Sequence, residues 1–310
     1  MAHGRAGQGG AVSSGGPVRL GPRSVAALVL VSLIGLAAIG WPLFADASSA
    51  VTTHAADAPW FFAALLPLLI AVVVATIADC GMDAKAVAML GVLAAVGAAL
   101  RPLGAGTAGL EPMFFLMVLS GRVLGPGFGF VLGAVTMFAS ALLTGGVGPW
   151  MPVQMLAMGW FTMGAGLLPG PVGGTPARAK PRAWVRGRGE LLMLSAYGFL
   201  AAFAYGTVTN LYGWVTVGGL GTGISFVPGD PVHENLVRFL AYVLATSLGW
   251  DLGRAALTVV LTLTVGRTLL KALRRATRRA NFEAQVTFEA PDGPPRGEAP
   301  HRTYVTYEAK

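Results

Sequence analysis

Charged residues are scarce in this chain: Asp, Glu, Lys and Arg make up 12% of its 310 residues, against about a quarter in a typical soluble domain. Two stretches, residues 123–177 and 191–229, contain no Asp, Glu, Lys, Arg or His. A helix needs about 20 apolar residues to cross the hydrocarbon core of a bilayer, so each stretch is long enough for at least one span. This scarcity excludes a water-soluble fold and predicts a membrane protein.

Residues and motifs that catalysis commonly uses are also missing. The single cysteine, Cys80, excludes an intramolecular disulfide and a cysteine-rich metal site. No phosphate-binding G-x-x-x-x-G-K-[ST] sequence occurs, which excludes ATP hydrolysis by that route, and H-E-x-x-H and G-x-S-x-G are absent too. The four histidines lie apart, outside the apolar segments. We therefore expect no enzyme, no catalytic residue, no metal and no permanently bound cofactor.

Apolar residues are abundant instead, at 54% of the chain, with a mean hydropathy of +0.65. They form eight segments: 24–45, 60–78, 84–100, 112–124, 126–144, 151–168, 190–212 and 237–265. The pattern predicts an all-α, polytopic transmembrane helical bundle of about eight spans. Gly125-Pro126-Gly127 between the fourth and fifth segments predicts a tight hairpin.

The net charge of +8 is explained by basic loops on one side of the membrane, so we expect no nucleic-acid partner. In an eight-span arrangement sixteen Lys and Arg residues fall on one side, and Arg101 and Arg238 alone fall on the other. Basic loops stay in the cytoplasm. The asymmetry predicts a multi-pass protein of the plasma membrane with both termini cytoplasmic.

Composition divides the chain into four parts. Residues 1–23 are rich in Gly, Ser and Arg and are predicted to be a disordered cytoplasmic N-terminus. Residues 24–80 hold two N-terminal transmembrane helices, and residues 81–266 hold six further apolar segments. Residues 267–310 form a tail that is first basic and then polar.

Asp251 and Arg254 are the two ionisable residues predicted to lie near the middle of a span. A spacing of three residues places them on one helix face, close enough to pair. Charges within a membrane are costly and commonly face a bundle interior or a cavity. The pair is either a ligand contact or switch at an interface, or a neutralised pair that fixes helix packing.

The third segment is dense in small residues, which recur at spacings of three and four. Small residues at this spacing form a groove that lets a second helix approach closely. The groove is either filled within the bundle or available to a separate membrane subunit. The candidate docking residues are Ala84, Ala88, Gly91, Ala95 and Ala99.

Aromatic, amide and glycine residues gather in the loops on the side opposite the basic loops. A mostly apolar pocket with a few placed polar groups is typical of ligand sites, whereas Trp and Tyr also form interfacial belts in membrane proteins. The candidate substrate-binding residues are Trp150, Gln154, Asn210, Tyr212, Trp214, His233 and Asn235.

Four stretches together carry a family resemblance. They are DAKAVAMLGVLAAVGAALRPL at 83–103, the block at 111–170, YGFLAAFAYGTVTNLY at 197–212 and YVLATSLGWDLGRA at 242–255. About half of the chain resembles the substrate-binding membrane subunits (S-components) of energy-coupling factor vitamin transporters, of the actinobacterial type. Residues 125–170 are the most specific part.

The resemblance implies a six-helix core that binds a vitamin from outside the cell, with cobalamin or a related corrinoid favoured as substrate. It implies as partners a transmembrane scaffold subunit and two ATP-binding-cassette ATPases, and it assigns scaffold docking to the small-residue face of the third segment. The two N-terminal helices depart from the family pattern. An ion-coupled secondary transporter and a ligand-free membrane assembly protein are the alternatives.

Overall fold

The computed structural model describes residues 22–43, 58–79, 84–104, 109–169, 187–216 and 223–280. Within these ranges the chain forms ten α-helices and no strand, so the predicted all-α fold is confirmed. The helices are α1 Pro22–Gly40, α2 Ala58–Asp79, α3 Ala84–Leu100, α4 Met113–Leu124, α5 Pro126–Thr144, α6 Met151–Leu167, α7 Arg188–Thr216, α8 Val232–Thr246, α9 Leu248–Thr264 and α10 Gly266–Ala280. Short 3₁₀ turns follow α1 and α3.

In the part of the chain that the structure describes, four helices (α1, α3 with its 3₁₀ turn, α5 and α7) are long and apolar enough to cross a bilayer. The pair α9 and α10, bent by 71°, makes a fifth if it is counted as one span. The predicted number is eight, and part of the difference arises because α4 and α6 are short, with 12 and 17 residues. α4 has 12 residues and extends about 18 Å, well below the roughly 30 Å of a hydrocarbon core.

The short helix α4 lies at the centre of the bundle. Each of its residues from Met113 to Leu124 is buried, and α4 contacts α3, α5, α6, α7, α9 and α10. An apolar helix buried on every side needs no polar face. These six helices therefore form a layer around α4, and the main hydrophobic core lies along its length.

Glycines bring α4 and α5 into backbone contact with α6. A Cβ added at Gly121 or at Gly133 would collide with the carbonyl oxygen of Thr162 or of Met158, respectively. Gly125 joins α4 to α5 with a φ of 91°, a conformation that favours glycine, and Pro126 begins α5. The predicted hairpin between the fourth and fifth segments is confirmed.

α9 runs antiparallel to α7. Along the pair, Gly206 meets Asp251 and Gly198 meets Thr258, and at the far end Gly266 meets Leu191. The predicted segment 237–265 is not one helix, because the chain breaks at Ser247 between α8 and α9. Hydropathy predicts which segment is buried in a membrane, but it does not detect a one-residue break in a helix.

The basic region after the last apolar segment begins with a helix, α10. Leu270, Leu273 and Thr277 are buried on the side where α10 contacts α4, while Lys271 and Arg275 are exposed. The predicted disordered N-terminus lies outside the described residues except for Pro22 and Arg23, which begin α1. The tail beyond Ala280 also lies outside them.

We predict that Gly121→Ala lowers the free energy of unfolding by about 1–3 kcal/mol, the range of an overpacked core, because the added methyl meets the α6 backbone. Gly91→Ala is the matched control, since a Cβ at Gly91 has no atom within 4 Å. Denaturant unfolding of both variants in detergent checks the prediction. Equal stability of the two variants would contradict the described contact between α4 and α6.

Candidate ligand-binding site

Arg254 organises a buried ionic group at one end of the bundle. Its Nη1 donates to Asp251 Oδ1 at 2.7 Å and its Nε donates to Glu111 Oε2 at 3.1 Å. The predicted pairing of Asp251 with Arg254 is confirmed. Glu111 precedes α4 and could not be assigned to Arg254 from the sequence, because 143 positions separate the two residues. We call this end of the bundle the Arg254 end.

The Arg254 guanidinium also lies over two neighbouring aromatic rings. Its central carbon lies 4.7 Å from the centroid of the Phe114 ring and 5.0 Å from that of the Tyr205 ring. The two rings meet edge to face with centroids 4.9 Å apart. Cation–π contacts of this kind are stronger away from water. Arg254 is therefore held by two carboxylates and two rings in one geometry.

A second cation, Arg101, lies at the same end and contacts neutral groups. Its Nη1 donates to Ser140 Oγ at 2.9 Å and its Nη2 donates to Gln154 Oε1 at 3.2 Å. In the described part of the chain Arg101 forms no ion pair. No described carboxylate compensates its positive charge, so Arg101 can donate charge-assisted hydrogen bonds to an anionic or carbonyl-bearing ligand.

Asn210, also at the Arg254 end, has a side-chain amide whose hydrogen-bonding groups are only partly used. Its Oδ1 accepts a hydrogen bond from Ser247 Oγ at 2.7 Å. Its Nδ2 is buried and has no hydrogen-bond partner among the described residues. A buried donor without a partner costs about 1–3 kcal/mol, and such groups in native proteins call for an explanation. Contact with a ligand would supply the missing acceptor.

The helix directions explain why these polar groups meet. α3, α5 and α7 end at the Arg254 end, and α4, α6 and α9 begin there. Tyr205 lies within electrostatic reach of both the Arg101 and the Arg254 groups. We name this set the polar end cluster. Its members are Arg101, Glu111, Ser140, Gln154, Tyr205, Asn210, Ser247, Asp251 and Arg254.

An apolar cavity of about 330 Å³ adjoins this cluster between α6 and α7. Trp160, Phe161, Tyr197 and Tyr205 contribute its aromatic wall, and small or aliphatic residues contribute the rest. Ligand pockets range from about 300 to 1,000 Å³, so the volume of this cavity is close to the lower limit of that range. Tyr205 is shared by the cavity and the polar end cluster.

The predicted substrate-binding residues lie in different parts of the structure. Gln154 and Asn210 belong to the polar end cluster. Tyr212 is half-buried and packs against the main core. Trp150 is 41% exposed and its indole donates to the Gly146 carbonyl at 3.1 Å, whereas His233 is exposed.

Trp214 and Asn235 hold the chain segment before α8. The Trp214 ring is 1% exposed, contacts Phe226 and Phe239, and donates to the Ile224 carbonyl at 2.8 Å. Asn235 Nδ2 donates to the Val227 carbonyl at 2.9 Å, and Asn235 Oδ1 accepts from the Val227 backbone N–H at 3.2 Å. Both side chains are thus engaged by the protein itself.

The predicted docking residues of α3 share one outward face. All five, Ala84, Ala88, Gly91, Ala95 and Ala99, are exposed. The opposite face carries the buried residues Ala86, Leu90 and Ala94 and contacts α5. The groove is therefore not filled by the described part of the chain. We call these five residues the α3 stripe.

A second buried ionic group, at the opposite end of α4, was not expected from the sequence. Arg122, near the end of the apolar segment 112–124, is fully buried. Its Nε donates to Glu190 Oε1 at 2.9 Å, and Arg274 Nη2 donates to the same oxygen at 2.5 Å. The carbonyls of Leu168 and Pro169 accept from the remaining nitrogens of Arg122. We call this the Arg122 end.

Comparison with known proteins adds no relative: no family model, curated protein or solved structure matches this chain.

We predict that Arg254→Met destabilises the protein by about 3–5 kcal/mol, the cost of leaving buried charges without a partner. The matched control is Arg238→Met, which removes ion pairs to Asp230 and Glu234. Because Glu234 is 49% exposed, the control is expected to cost about 0–1 kcal/mol. Unfolding in detergent measures both, and an Arg254→Met protein as stable as the control would refute the buried ionic group.

Proposed function

We propose that this chain is the substrate-specific membrane subunit of an ATP-driven importer of the energy-coupling factor type. In this proposal it binds a vitamin at the Arg254 end and passes it inward with a transmembrane scaffold subunit and two ATP-binding-cassette ATPases. The observation that carries the proposal is the α3 stripe, whose five small residues are exposed on an apolar helix. A face of this kind permits close approach of a second membrane helix.

The polar end cluster supports binding of a small molecule that carries carbonyl or carboxylate oxygens. Arg101 offers a cation without an acidic partner among the described residues, and Asn210 offers an unsatisfied buried N–H donor. Polar groups of this kind fix the orientation of a ligand in an apolar site. Cobalamin or a related corrinoid, with its many side-chain amides, is the ligand that we favour.

The proposed orientation places the Arg254 end outside the cell and the Arg122 end in the cytoplasm, in the plasma membrane. The distribution of Lys and Arg supports it, since basic loops remain on the cytoplasmic side. Lys85, Arg188, Arg267, Lys271 and Arg275 all lie towards the Arg122 end, at the start of α3 and of α7 and on α10. Both termini are then cytoplasmic.

An ion-coupled secondary transporter is the second candidate, and one observation favours it. Two carboxylates, Glu111 and Asp251, share the single cation Arg254. Carboxylates buried at a membrane site are a feature of ion and proton coupling. The two candidates differ in their source of energy, because the first needs ATP and partner subunits.

Reconstituted vesicles distinguish the candidates. We expect vesicles with this chain alone to bind radiolabelled cobalamin without accumulating it, and vesicles that also contain the scaffold and both ATPases to accumulate it when ATP is inside. Accumulation by the chain alone under a sodium or proton gradient would favour the secondary transporter.

We predict that Ala95→Trp removes ATP-driven accumulation in the complete vesicles, because an indole on the α3 stripe blocks helix contact, while cobalamin binding is unchanged. Val96→Trp is the matched control, since Val96 is the next residue, is 46% exposed and lies outside the stripe. Loss of binding together with transport in Ala95→Trp would indicate misfolding. Equal transport by the two variants would refute docking through the stripe.

A further inference from the structure

A second cavity, of about 500 Å³, lies at the Arg122 end. It is formed by the first turns of α7 and by the bend between α9 and α10. Arg188 and Arg267 line it together with Leu191, Leu192 and Leu263. Two cations and a leucine wall thus face one space at the end of two apolar helices.

The charge in this cavity is not compensated by the described residues. Neither Arg188 nor Arg267 has an ion-pair partner among them. Glu190, the acidic residue in the first turn of α7, already forms ion pairs with Arg122 and Arg274. Arg188 also begins α7, where the helix dipole disfavours a cation. An anion between the two arginines would relieve both unfavourable interactions.

The leucine wall identifies what kind of anion fits. Leu192 is 62% exposed and Leu263 is 45% exposed, so apolar surface lies directly beside the two guanidinium groups. A free phosphate ion would leave this surface uncovered. A phospholipid covers it with an acyl chain while its phosphate contacts the arginines, in the manner of basic pockets that hold anionic headgroups.

The path of the chain agrees with a position at the membrane surface. α10 departs from the direction of α9 by 71° and buries Leu270 and Leu273 while Lys271 and Arg275 are exposed. Basic residues exposed beside the end of apolar helices lie at the depth of the lipid headgroups, where they attract anionic lipid. The cavity therefore opens at the depth where lipid phosphates are found.

We propose that this cavity binds one anionic phospholipid, with the headgroup phosphate between Arg188 and Arg267 and an acyl chain along Leu192 and Leu263. The lipid joins the start of α7 to the bend before α10, beside the link that Glu190 makes to Arg274. This site is separate from the polar end cluster and does not depend on the proposed function.

The test is a titration of the full chain in dodecyl maltoside with dioctanoyl phosphatidylglycerol, followed by intrinsic tryptophan fluorescence or native mass spectrometry. We expect the double variant R188Q/R267Q to bind about 30-fold more weakly than the wild type, since each basic residue near a lipid surface contributes about fivefold. R188K/R267K keeps both charges and is expected to retain most of the binding.

The matched control is K271Q/R275Q, which removes the same charge from the exposed side of α10 outside the cavity. We expect this control to bind within about threefold of the wild type, and dioctanoyl phosphatidylcholine to bind far more weakly than phosphatidylglycerol. An equal loss in both Gln variants would overturn the site in favour of diffuse attraction. Full competition by an equal concentration of inorganic phosphate would overturn the role of the acyl chain. Thermal unfolding without lipid verifies that the variants are folded.

Discussion

The burial of charge at both ends of one short helix constrains the rest of this structure. Taking an ion out of water costs several kcal/mol even after relaxation, so each buried arginine must keep its partners. Arg254 near the start of α4 is held by Asp251 and Glu111, and Arg122 near its end is held by Glu190. Sliding α7 or α9 along α4 would separate charges in an apolar medium. The two ionic groups therefore fix the register of the bundle.

The packing around α4 follows from that constraint. With 12 residues, α4 is too short to cross a bilayer, and its neighbours must cover it on every side. Gly121 and Gly133 let α6 approach at backbone distance, and Gly206 leaves room for the Asp251 carboxylate between α7 and α9. Close packing of small residues is how helices associate in membranes, where no hydrophobic driving force acts between them. These contacts hold together the helix ends that carry the polar end cluster.

The sequence predicted the positions of most helices and left their tertiary partners unknown. The expected segments 84–100 and 126–144 have the bounds of α3 and α5, because long apolar runs report helices in a membrane directly. Asp251 and Arg254 were paired correctly, since they are neighbours on one helix. Glu111 and Glu190 could not be matched to their arginines, because those pairs join distant parts of the chain. Loop composition likewise could not show which tryptophan is buried. Trp214 is buried in a small core of its own, whereas Trp150 is exposed.

The central functional claim is that the polar end cluster is where the substrate binds. Its most direct test is equilibrium binding of radiolabelled cobalamin to the purified chain in detergent without ATP, for the wild type, Gln154→Ala and Asn210→Ala. We predict one molecule bound per chain, with each variant weakened about tenfold, the effect of losing one hydrogen bond to a ligand, and with thermal unfolding unchanged. Binding that is absent for cobalamin and for a panel of other vitamins, or that both variants leave unchanged, would contradict the claim.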